Sequence, residues 1–377
     1  MKVDFYRHNL DDACIASLVG ATKQIFISTG PKTQEFEAAF AVYLGVPHAV
    51  GTMSCTHSLY LAWRALKVGV GDEVIVPAMT FVATIEALML TGAAPVFTDV
   101  DLRSGILDPA AVEEKITPRT KAICPVHLYG TMAPMDRFRA IADKHALLLV
   151  EDSAHCVEGR GPGFAPGALS DAAAFSFYAT KNITCGEGGA VATRHAEVAH
   201  KLKLLRNHGI NRTAIERFND KVSGYDVEES GFKSNMYDLQ AALLIPQLAK
   251  IDVNYARRAA IVQSYNDAFK DAGLILPYVP PGHKSALHLY TVRLPDEQKR
   301  DKFMVALTAQ GVGCTVNYRP LSSLTFFHTQ LGMRDEDYPH ATAIGATTVS
   351  LPLYPNLTDD EVAYVIDSVR KTARNVL

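Results

Sequence analysis

Residues 147–182 read LLLVEDSAHCVEGRGPGFAPGALSDAAAFSFYATKN and contain two short apolar runs. The runs LLLVED (147–152) and AAFSF (173–177) predict buried strands, because they are short, apolar and bounded by turn residues. Asp152 closes the first run, and Lys181 lies just after the second. Ligands of a parallel sheet bind beyond the carboxyl ends of its strands, so we expect both side chains at one edge of a sheet.

The same alternation of apolar runs and amphipathic stretches extends over the chain from about residue 46. Further strands are predicted at AVGTM (49–53), EVIVP (73–77), PVFTDV (95–100), KAICPV (121–126) and GAVAT (189–193), with helices at 58–66, 81–90 and 135–145. This order predicts an α/β fold whose mostly parallel sheet is covered by helices on both faces. The turn-rich stretches 158–171 and 211–234 predict long surface loops near a site.

The C-terminal third of the chain has a different pattern. A helical segment from 236 through 269 leads to predicted strands HLYTVRL (288–294) and CTVNYRPL (314–321), with helices near 301–310 and from Asp359. We therefore predict a large domain of residues 1–245, which includes the N-terminal segment, and a small α+β domain of residues 246–377.

Composition and charge limit the classes of protein and of binding partner that fit this chain. The chain has 377 residues, 48% apolar and 20% charged, with a net charge of −3 and no basic block, which argues against nucleic acid or an anionic membrane as partners. Six scattered cysteines without a CxxC pair favour reduced thiols, and neither a signal peptide nor a membrane-length apolar run is present, so we expect a cytoplasmic protein. The 13 histidines lack metal-ligand spacing, and no metal is expected.

Asp152, Ser176 and Lys181 fit the requirements of pyridoxal phosphate (PLP) chemistry. Such chemistry needs a lysine that forms an imine with the cofactor and an acid that keeps the pyridine nitrogen protonated. The hydroxyl of Ser176 can reach the cofactor phosphate while Lys181 reaches the aldehyde carbon. A lysine in a loop is more often a surface charge, and the hydroxyl of a serine in a strand often makes its hydrogen bonds within the sheet. The prediction therefore rests on the combination of the three residues.

The stretch MSCTHSLYLAW (53–63) predicts a second phosphate-binding element. A strand ends and a helix begins around Cys55 and Thr56, where backbone N–H groups and the helix dipole attract an anion. Ser54 or Thr56 alternatively caps this helix. Phe81, which opens the next predicted helix, is a candidate to stack on the pyridine ring, although a phenylalanine at such a position is more often part of a core.

The chain resembles the DegT/StrS family of PLP-dependent sugar aminotransferases, which have fold type I of the aspartate aminotransferase superfamily. The matching pieces span nearly the whole chain and include SCTHSLYLA, GDEVIVPAMTFVAT, EDSAH, FSFYATKN, GEGGAV, LRNHG, GFKSNMYDLQAALLIPQL and SLPLYPNLTDDEV. The resemblance implies that Lys181 is the Schiff-base lysine and general acid/base, that Asp152 pairs with the pyridine nitrogen, and that His155 lies near the ring hydroxyl.

The same resemblance implies that Thr56, Ser176 and Asn235 hold the cofactor phosphate. Asn235 would come from the partner subunit of a homodimer with shared active sites; the alternative for Asn235 is a helix N-cap before YDLQAALL. Cys55 stands where glycine is common in the family, which is tolerable because only its backbone is needed at the phosphate. His288 and Tyr318 are candidate substrate contacts.

The implied reaction transfers an amino group from an amino acid, L-glutamate, to a nucleotide-linked 4-keto-6-deoxy sugar for glycan or amino-sugar biosynthesis. Carbon 4 is favoured over carbon 3 because GINRTAIERF (209–218) and YDVEESGFKSNM (225–236) resemble relatives that act on 4-keto sugars. The alternatives are a 3-keto sugar aminotransferase, a sugar C3 dehydratase, and a regulatory or sugar-binding protein with a PLP fold. Lys181 argues against the dehydratase, in which the family replaces this lysine by histidine, and a regulator would need a DNA-binding module and a basic face.

Overall fold

The computed structural model describes residues 1–220, 222 and 224–377. The loop expected over 211–234 includes residues 221 and 223, which lie outside the described residues. The described part of that stretch contains a short helix, α8 (Ala214–Asn219), with a capping box between Thr213 and Glu216.

One large sheet organises the N-terminal two thirds of the chain. Its strands are β1 (His48–Thr52), β2 (Glu73–Pro77), β3 (Ala94–Thr98), β4 (Thr120–Ile123), β5 (Leu148–Asp152), β6 (Ala172–Ser176) and β7 (Gly189–Thr193). They are arranged in the order β1-β7-β6-β5-β4-β2-β3, and β7 is antiparallel to both of its neighbours while the other strand pairs are parallel. The predicted mostly parallel α/β sheet is therefore confirmed.

The helices are distributed along the whole chain. Their bounds are α1 (Asp12–Thr22), α2 (Pro31–Leu44), α3 (Cys55–Ala65), α4 (Ala83–Met89), α5 (Pro109–Glu114), α6 (Met135–His145), α7 (Ala196–Leu205), α9 (Asp238–Ala249), α10 (Ile251–Phe269), α11 (Glu297–Ala309), α12 (Thr325–Leu331), α13 (Pro339–Thr347) and α14 (Asp359–Val376). No helix formed by the described residues is long and apolar enough to cross a membrane.

Both faces of the large sheet are covered, and successive strand residues divide between the two sides. On one face, Val74 and Val76 of β2 pack with Trp63 of α3, together with side chains of α4 and α7. On the other face, Ile75 packs with Phe138 of α6. Aromatic side chains of α2 continue this second layer beneath β6 and β7. The sheet is thus covered on both sides.

A second core lies in the C-terminal third of the chain. Strands β8 (Tyr290–Arg293) and β9 (Thr348–Leu351) form an antiparallel pair against α10, α11 and α14, and Val3 joins the same core. The strand predicted at 314–321 is wrong, because that segment makes only an isolated bridge between Thr315 and Ser350, and β9 is the partner of β8. The predicted boundary after residue 245 falls inside α9, and the division into two domains stays a prediction.

The loop 158–171 is not the surface loop that its turn residues predict. Most of it is buried, and Glu158 and Ser170 are fully shielded from solvent. The carboxylate of Glu158 pairs with the guanidinium of Arg258 on α10, and the N–H of Gly167 donates to Oε1 of Glu151 at 3.0 Å. These contacts hold the loop inside the protein, since a buried loop must satisfy its polar groups internally.

Asp238, the first residue of α9, anchors the start of α2. Its Oδ1 accepts hydrogen bonds from the N–H groups of Gly30 and Thr33 at 2.7 and 2.9 Å and from Oγ1 of Thr33 at 2.7 Å. Its Oδ2 accepts from the N–H of Lys32 at 3.0 Å. One buried carboxylate therefore satisfies N–H groups that a helix N-terminus leaves unpaired.

We expect Asp238→Ala to lower the free energy of unfolding by about 3 kcal/mol, because several buried donors lose their acceptor at once. Chemical denaturation followed by circular dichroism measures this change. Asp108→Ala is the matched control: Asp108 caps α5 through one hydrogen bond, from the N–H of Ala110 at 3.0 Å, and its loss should cost about 1 kcal/mol or less. Equal effects of the two substitutions would contradict the anchoring role of Asp238.

Candidate active site

The carboxyl ends of β1, β5 and β6 meet at one edge of the sheet and open into a pocket of about 540 Å³. This volume suits a cofactor together with a small substrate. Of the predicted site residues, the pocket brings together Cys55, Thr56, Phe81, Asp152, His155, Ser176, Lys181, His288 and Tyr318. Asn235 is the predicted residue that does not line it.

Asp152, the last residue of β5, is a buried carboxylate held by neutral donors. Its Oδ2 accepts a hydrogen bond from Oγ1 of Thr84 at 2.7 Å, and its Oδ1 accepts from the N–H of Ala154 at 3.1 Å. No Lys, Arg or His side chain among the described residues forms an ion pair with it. A buried carboxylate fixed in this way is available to a cationic group of a bound molecule.

Lys181 lies in a turn just after β6, where its N–H bonds to the carbonyl of Tyr178 at 2.9 Å. Burial lowers the pKa of its amine to about 8, while the negative charge of Asp152 opposes this shift. A lysine with a lowered pKa has a larger fraction of neutral amine near physiological pH, and the neutral amine is the nucleophile.

The N-terminus of α3 forms one end of the pocket. Ser54 is the N-cap, and its Oγ accepts from the N–H of His57 at 3.2 Å, so Thr56 is not the cap. The N–H groups of Cys55 and Thr56 lie in the first turn, where a helix provides no acceptor, and they can bind an anion. Burial raises the pKa of the Cys55 thiol, which keeps it uncharged beside such an anion.

Two features near this helix support a phosphate site. The Oγ of Ser176 accepts from the N–H of Tyr178 at 3.3 Å, which leaves its hydroxyl proton to donate to a ligand. A Cβ added to Gly189 would lie 2.4 Å from the backbone carbon of Ser54, so a side chain there would push the helix N-terminus out of place. The residues present therefore fit a phosphate-bearing group.

Aromatic side chains form the opposite wall of the pocket. The rings of His155 and His288 lie 4.4 Å apart, and Nε2 of His155 lies 3.2 Å from the hydroxyl of Tyr318. Burial, aided by the charge of Lys181, lowers the pKa of both histidines well below the ordinary value, so both are neutral. Phe81 precedes α4, is 52% exposed, and lies 5.6 Å from the Tyr318 ring, so it is not a core residue and can contact a bound ring.

Asn235 lies in a second pocket of about 440 Å³ in the same chain. Its Nδ2 donates to Oγ1 of Thr29 at 2.5 Å and to Oγ of Ser28 at 3.3 Å. The alternative that Asn235 caps the following helix is wrong, because α9 begins at Asp238 with Tyr237 as its N-cap.

Two polar residues at the site were missed by sequence reasoning. Thr84 donates a hydrogen bond to Asp152. It is the last residue of the piece GDEVIVPAMTFVAT that resembles the family, and this resemblance was the signal that could have identified it. Asn182 connects the segment of Lys181 to Glu158 through a hydrogen bond of 2.7 Å. No spacing could reveal this contact, since the loop of Glu158 was expected on the surface. The described residues include no cluster of three or more His, Cys, Asp or Glu side chains suited to a metal ion.

A parallel sheet with a buried lysine, a buried carboxylate and a helix N-terminus in one pocket defines an enzyme of the PLP-dependent transferase class. Residues 9–370 match the DegT/DnrJ/EryC1/StrS aminotransferase family, to which the chain belongs. It is 42% identical to the spore coat polysaccharide biosynthesis protein SpsC of Bacillus subtilis over 352 residues, which cover 92% of this chain and 90% of SpsC.

Solved structures agree with this assignment. "Putative sugar aminotransferase Spr1654" of Streptococcus pneumoniae in its PMP form has a TM-score of 0.95 and 31% identity, with 100% of each chain covered, and it is also known in a PLP form. DesV of S. venezuelae, in complex with a ketimine intermediate, has a TM-score of 0.88 and 38% identity, with 96% of this chain and 94% of DesV covered. The chain is a PLP-dependent sugar aminotransferase, and the predicted cofactor is confirmed.

We expect the rate at which cofactor-free protein attaches PLP covalently to rise with pH and to level off above about 8. Only the neutral amine attacks the aldehyde, and burial lowers the pKa of Lys181 to about 8. Stopped-flow absorbance measures the rate. Lys181→Ala should abolish covalent attachment, whereas Lys144→Ala, which removes an exposed lysine paired with Glu113, should leave the profile unchanged. A midpoint near the ordinary lysine value of 10.5 would refute the assignment.

Proposed function

We propose that this protein transfers an amino group from L-glutamate to a nucleotide-linked 4-keto-6-deoxy sugar, in a homodimer with shared active sites. Lys181 and Asp152 are the catalytic residues of this proposal, and Cys55, Thr56, Phe81, His155 and Ser176 bind the cofactor. The observation that carries the proposal is that one pocket contains a helix N-terminus together with a lysine and a carboxylate that form no ion pair with any described residue.

The roles of the two catalytic residues follow from their surroundings. When bound, PLP supplies a ring that withdraws electrons from the reacting carbon. Asp152 holds a proton on the pyridine nitrogen through charge, since Thr84 and the N–H of Ala154 keep its carboxylate in place. Lys181, with a pKa of about 8, can take up and return a proton at the reacting carbon near neutral pH. Thr56, Ser176 and the first turn of α3 hold the phosphate.

The charge and the position of the second pocket support two parts of the proposal, the nucleotide-linked substrate and the active site shared between subunits. Its lining includes Lys203, Arg217 and Lys233 and one acid, Glu216, among the described residues, while Arg212 in the same lining pairs with Asp220. A nucleotide-linked sugar carries a diphosphate, and glutamate carries two carboxylates, so either substrate is attracted by this charge. If Asn235 binds the cofactor phosphate of the partner subunit, the same pocket is brought beside the partner's active site.

Exposed apolar side chains near both pockets support a dimer. Phe81 and Tyr178 at the first pocket are 52% and 45% exposed, and Tyr225, Val227 and Phe232 near the second pocket are each more than half exposed. Large exposed apolar side chains grouped around a site often mark a protein interface. A partner subunit would cover them and close the active site.

Two observations bear on the substrate. The segments 209–218 and 225–236 resemble relatives that act on 4-keto sugars, which favours carbon 4. The relative from Bacillus subtilis is named for spore coat polysaccharide biosynthesis, which supports a role in glycan precursors. Lys181 disfavours C3 dehydration, in which the family carries histidine at this position.

A panel of nucleotide-linked keto sugars tests the proposal. The protein is incubated with L-glutamate and each UDP-, GDP- or dTDP-linked sugar, and 2-oxoglutarate and amino sugar are measured together. We expect the highest kcat/KM for a 4-keto-6-deoxy sugar, and we expect Lys181→Ala to lower turnover by at least a thousandfold because it removes the proton carrier. Amination of 3-keto sugars alone, or of free keto acids alone, would contradict the proposed substrate.

Subunit mixing tests whether Asn235 serves the partner's site. Lys181→Ala and Asn235→Asp homodimers should both be impaired, the second because a carboxylate repels the cofactor phosphate. When the two variants are unfolded together and refolded, about half of the dimers are mixed, and each mixed dimer has one site with both defects and one with neither. Activity should recover to roughly one quarter of that of the unmodified enzyme.

The control for this experiment is each variant refolded alone, which should gain no activity. If Asn235 served its own chain, every mixed dimer would carry one defect in each site. Efficient subunit exchange, verified by native mass spectrometry, without recovered activity would therefore refute the shared site.

A further inference from the structure

A chain of partly buried hydrogen bonds lies next to Lys181 and fixes the amide of Asn182. Its Nδ2 donates to Oε2 of Glu158 at 2.7 Å and to the carbonyl oxygen of Ala286 at 2.8 Å. Both partners accept, so the opposite orientation of the amide would set its oxygen against two oxygens. The hydrogen-bond pattern therefore determines which side of the amide carries the oxygen.

Glu158 remains an acceptor because Arg258 holds it. Both side chains are fully buried, and the guanidinium of Arg258 binds Oε1 while Oε2 faces Asn182. A buried carboxylate paired with a guanidinium is ionised and has no proton to donate. The orientation of the amide thus depends on a charge pair that links α10 to the segment of Lys181.

The oxygen of the amide determines the tautomer of His288. Oδ1 of Asn182 lies 3.2 Å from Nδ1 of His288, and an amide oxygen can only accept, so Nδ1 carries the proton. His288 is neutral because burial lowers its pKa, so its Nε2 bears a lone pair. Nε2 has no hydrogen-bond partner among the described residues, and His288 lines the active-site pocket.

The neighbouring His155 has the opposite tautomer. Its Nδ1 accepts a hydrogen bond from the N–H of Tyr129 at 3.2 Å, which leaves the proton on Nε2. That proton points to the hydroxyl oxygen of Tyr318 at 3.2 Å. Burial raises the pKa of Tyr318, so the hydroxyl keeps its own proton and can donate it to a ligand.

We propose that Asn182 is a positioning residue that makes Nε2 of His288 a hydrogen-bond acceptor in the pocket that also contains the donor hydroxyl of Tyr318, so that the two recognise a substrate hydroxyl. A sugar hydroxyl fits this pair because it donates through its proton and accepts through its lone pairs. The sugar as ligand rests on the proposed function, whereas the two tautomers rest on the contacts alone.

Imidazole nitrogen NMR of the PLP-loaded enzyme tests the tautomers directly. The 13 histidines are labelled with ¹⁵N, and the signals of interest are assigned by their loss in His288→Gln and His155→Gln. At neutral pH we expect a protonated Nδ1 and a bare Nε2 for His288, and the reverse for His155. A protonated Nε2 on His288 would overturn the proposal, and this result requires no variant of Asn182 to fold.

Asn182→Ala tests the positioning role. Without the amide oxygen, His288 should populate both tautomers, and KM for the sugar should rise roughly tenfold with a smaller change in kcat, as expected for one lost hydrogen bond to the substrate. Gln247→Ala is the matched control, since Gln247 binds the same turn through the N–H and carbonyl of Thr184 at 3.0 and 2.7 Å without touching His288. It should leave both tautomers unchanged.

The outcomes separate the two proposals. An unchanged His288 tautomer in Asn182→Ala, or the same tautomer shift in Gln247→Ala, would refute the positioning role. The predicted tautomers in an enzyme that aminates no nucleotide sugar would refute the proposed function but not the hydrogen-bond assignment. A tenfold rise in KM that accompanies the tautomer shift supports the complete proposal.

Discussion

The parallel pairing of β5 with β6 is the constraint on which the active site depends. Asp152 lies opposite Ala174 in this ladder, and the N–H of Ser153 bonds to the carbonyl of Ala174 at 2.8 Å. Since β6 runs on to Ser176 and the chain then turns at Lys181, the ladder sets the carboxylate, the hydroxyl and the amine in one pocket. A shift in register would separate them.

A buried hydrogen bond and a buried ion pair fix the layer behind this ladder. Nε2 of His127 lies 2.7 Å from Oε2 of Glu151, and Glu158 pairs with Arg258. Desolvation makes a buried pair a weak source of net stability, yet removing one partner is costly because the other charge stays buried. These contacts therefore determine the position of loop 158–171 and of α10 more than they add to stability. The same positions bring Asn182 and His288 to the pocket.

The sequence predicted those features of the fold and of the site that depend on residues close together in the chain. Apolar runs located the strands, and Asp152 and Lys181 were found because each follows such a run. It did not predict the buried loop, because Glu158 meets an arginine 100 residues away. It also placed a strand at 314–321, which has high strand propensity but lacks a continuous partner. The side chain of Asn235 contacts Ser28 and Thr29 of its own chain, and its role at the active site of a partner subunit stays a prediction.

The charge distribution of the pocket follows from which groups are desolvated. Burial keeps His155 and His288 neutral, so neither histidine competes as a cation for Asp152. Positive potential is instead supplied by the N-terminus of α3, a backbone dipole that cannot lose a proton. An anionic phosphate would therefore bind at the N-terminus of α3 and a cationic ring nitrogen beside Asp152, so that each is next to a group of opposite sign. The neutral imidazoles of His155 and His288 take part in hydrogen bonds instead, His155 with Tyr129 and Tyr318 and His288 with Asn182.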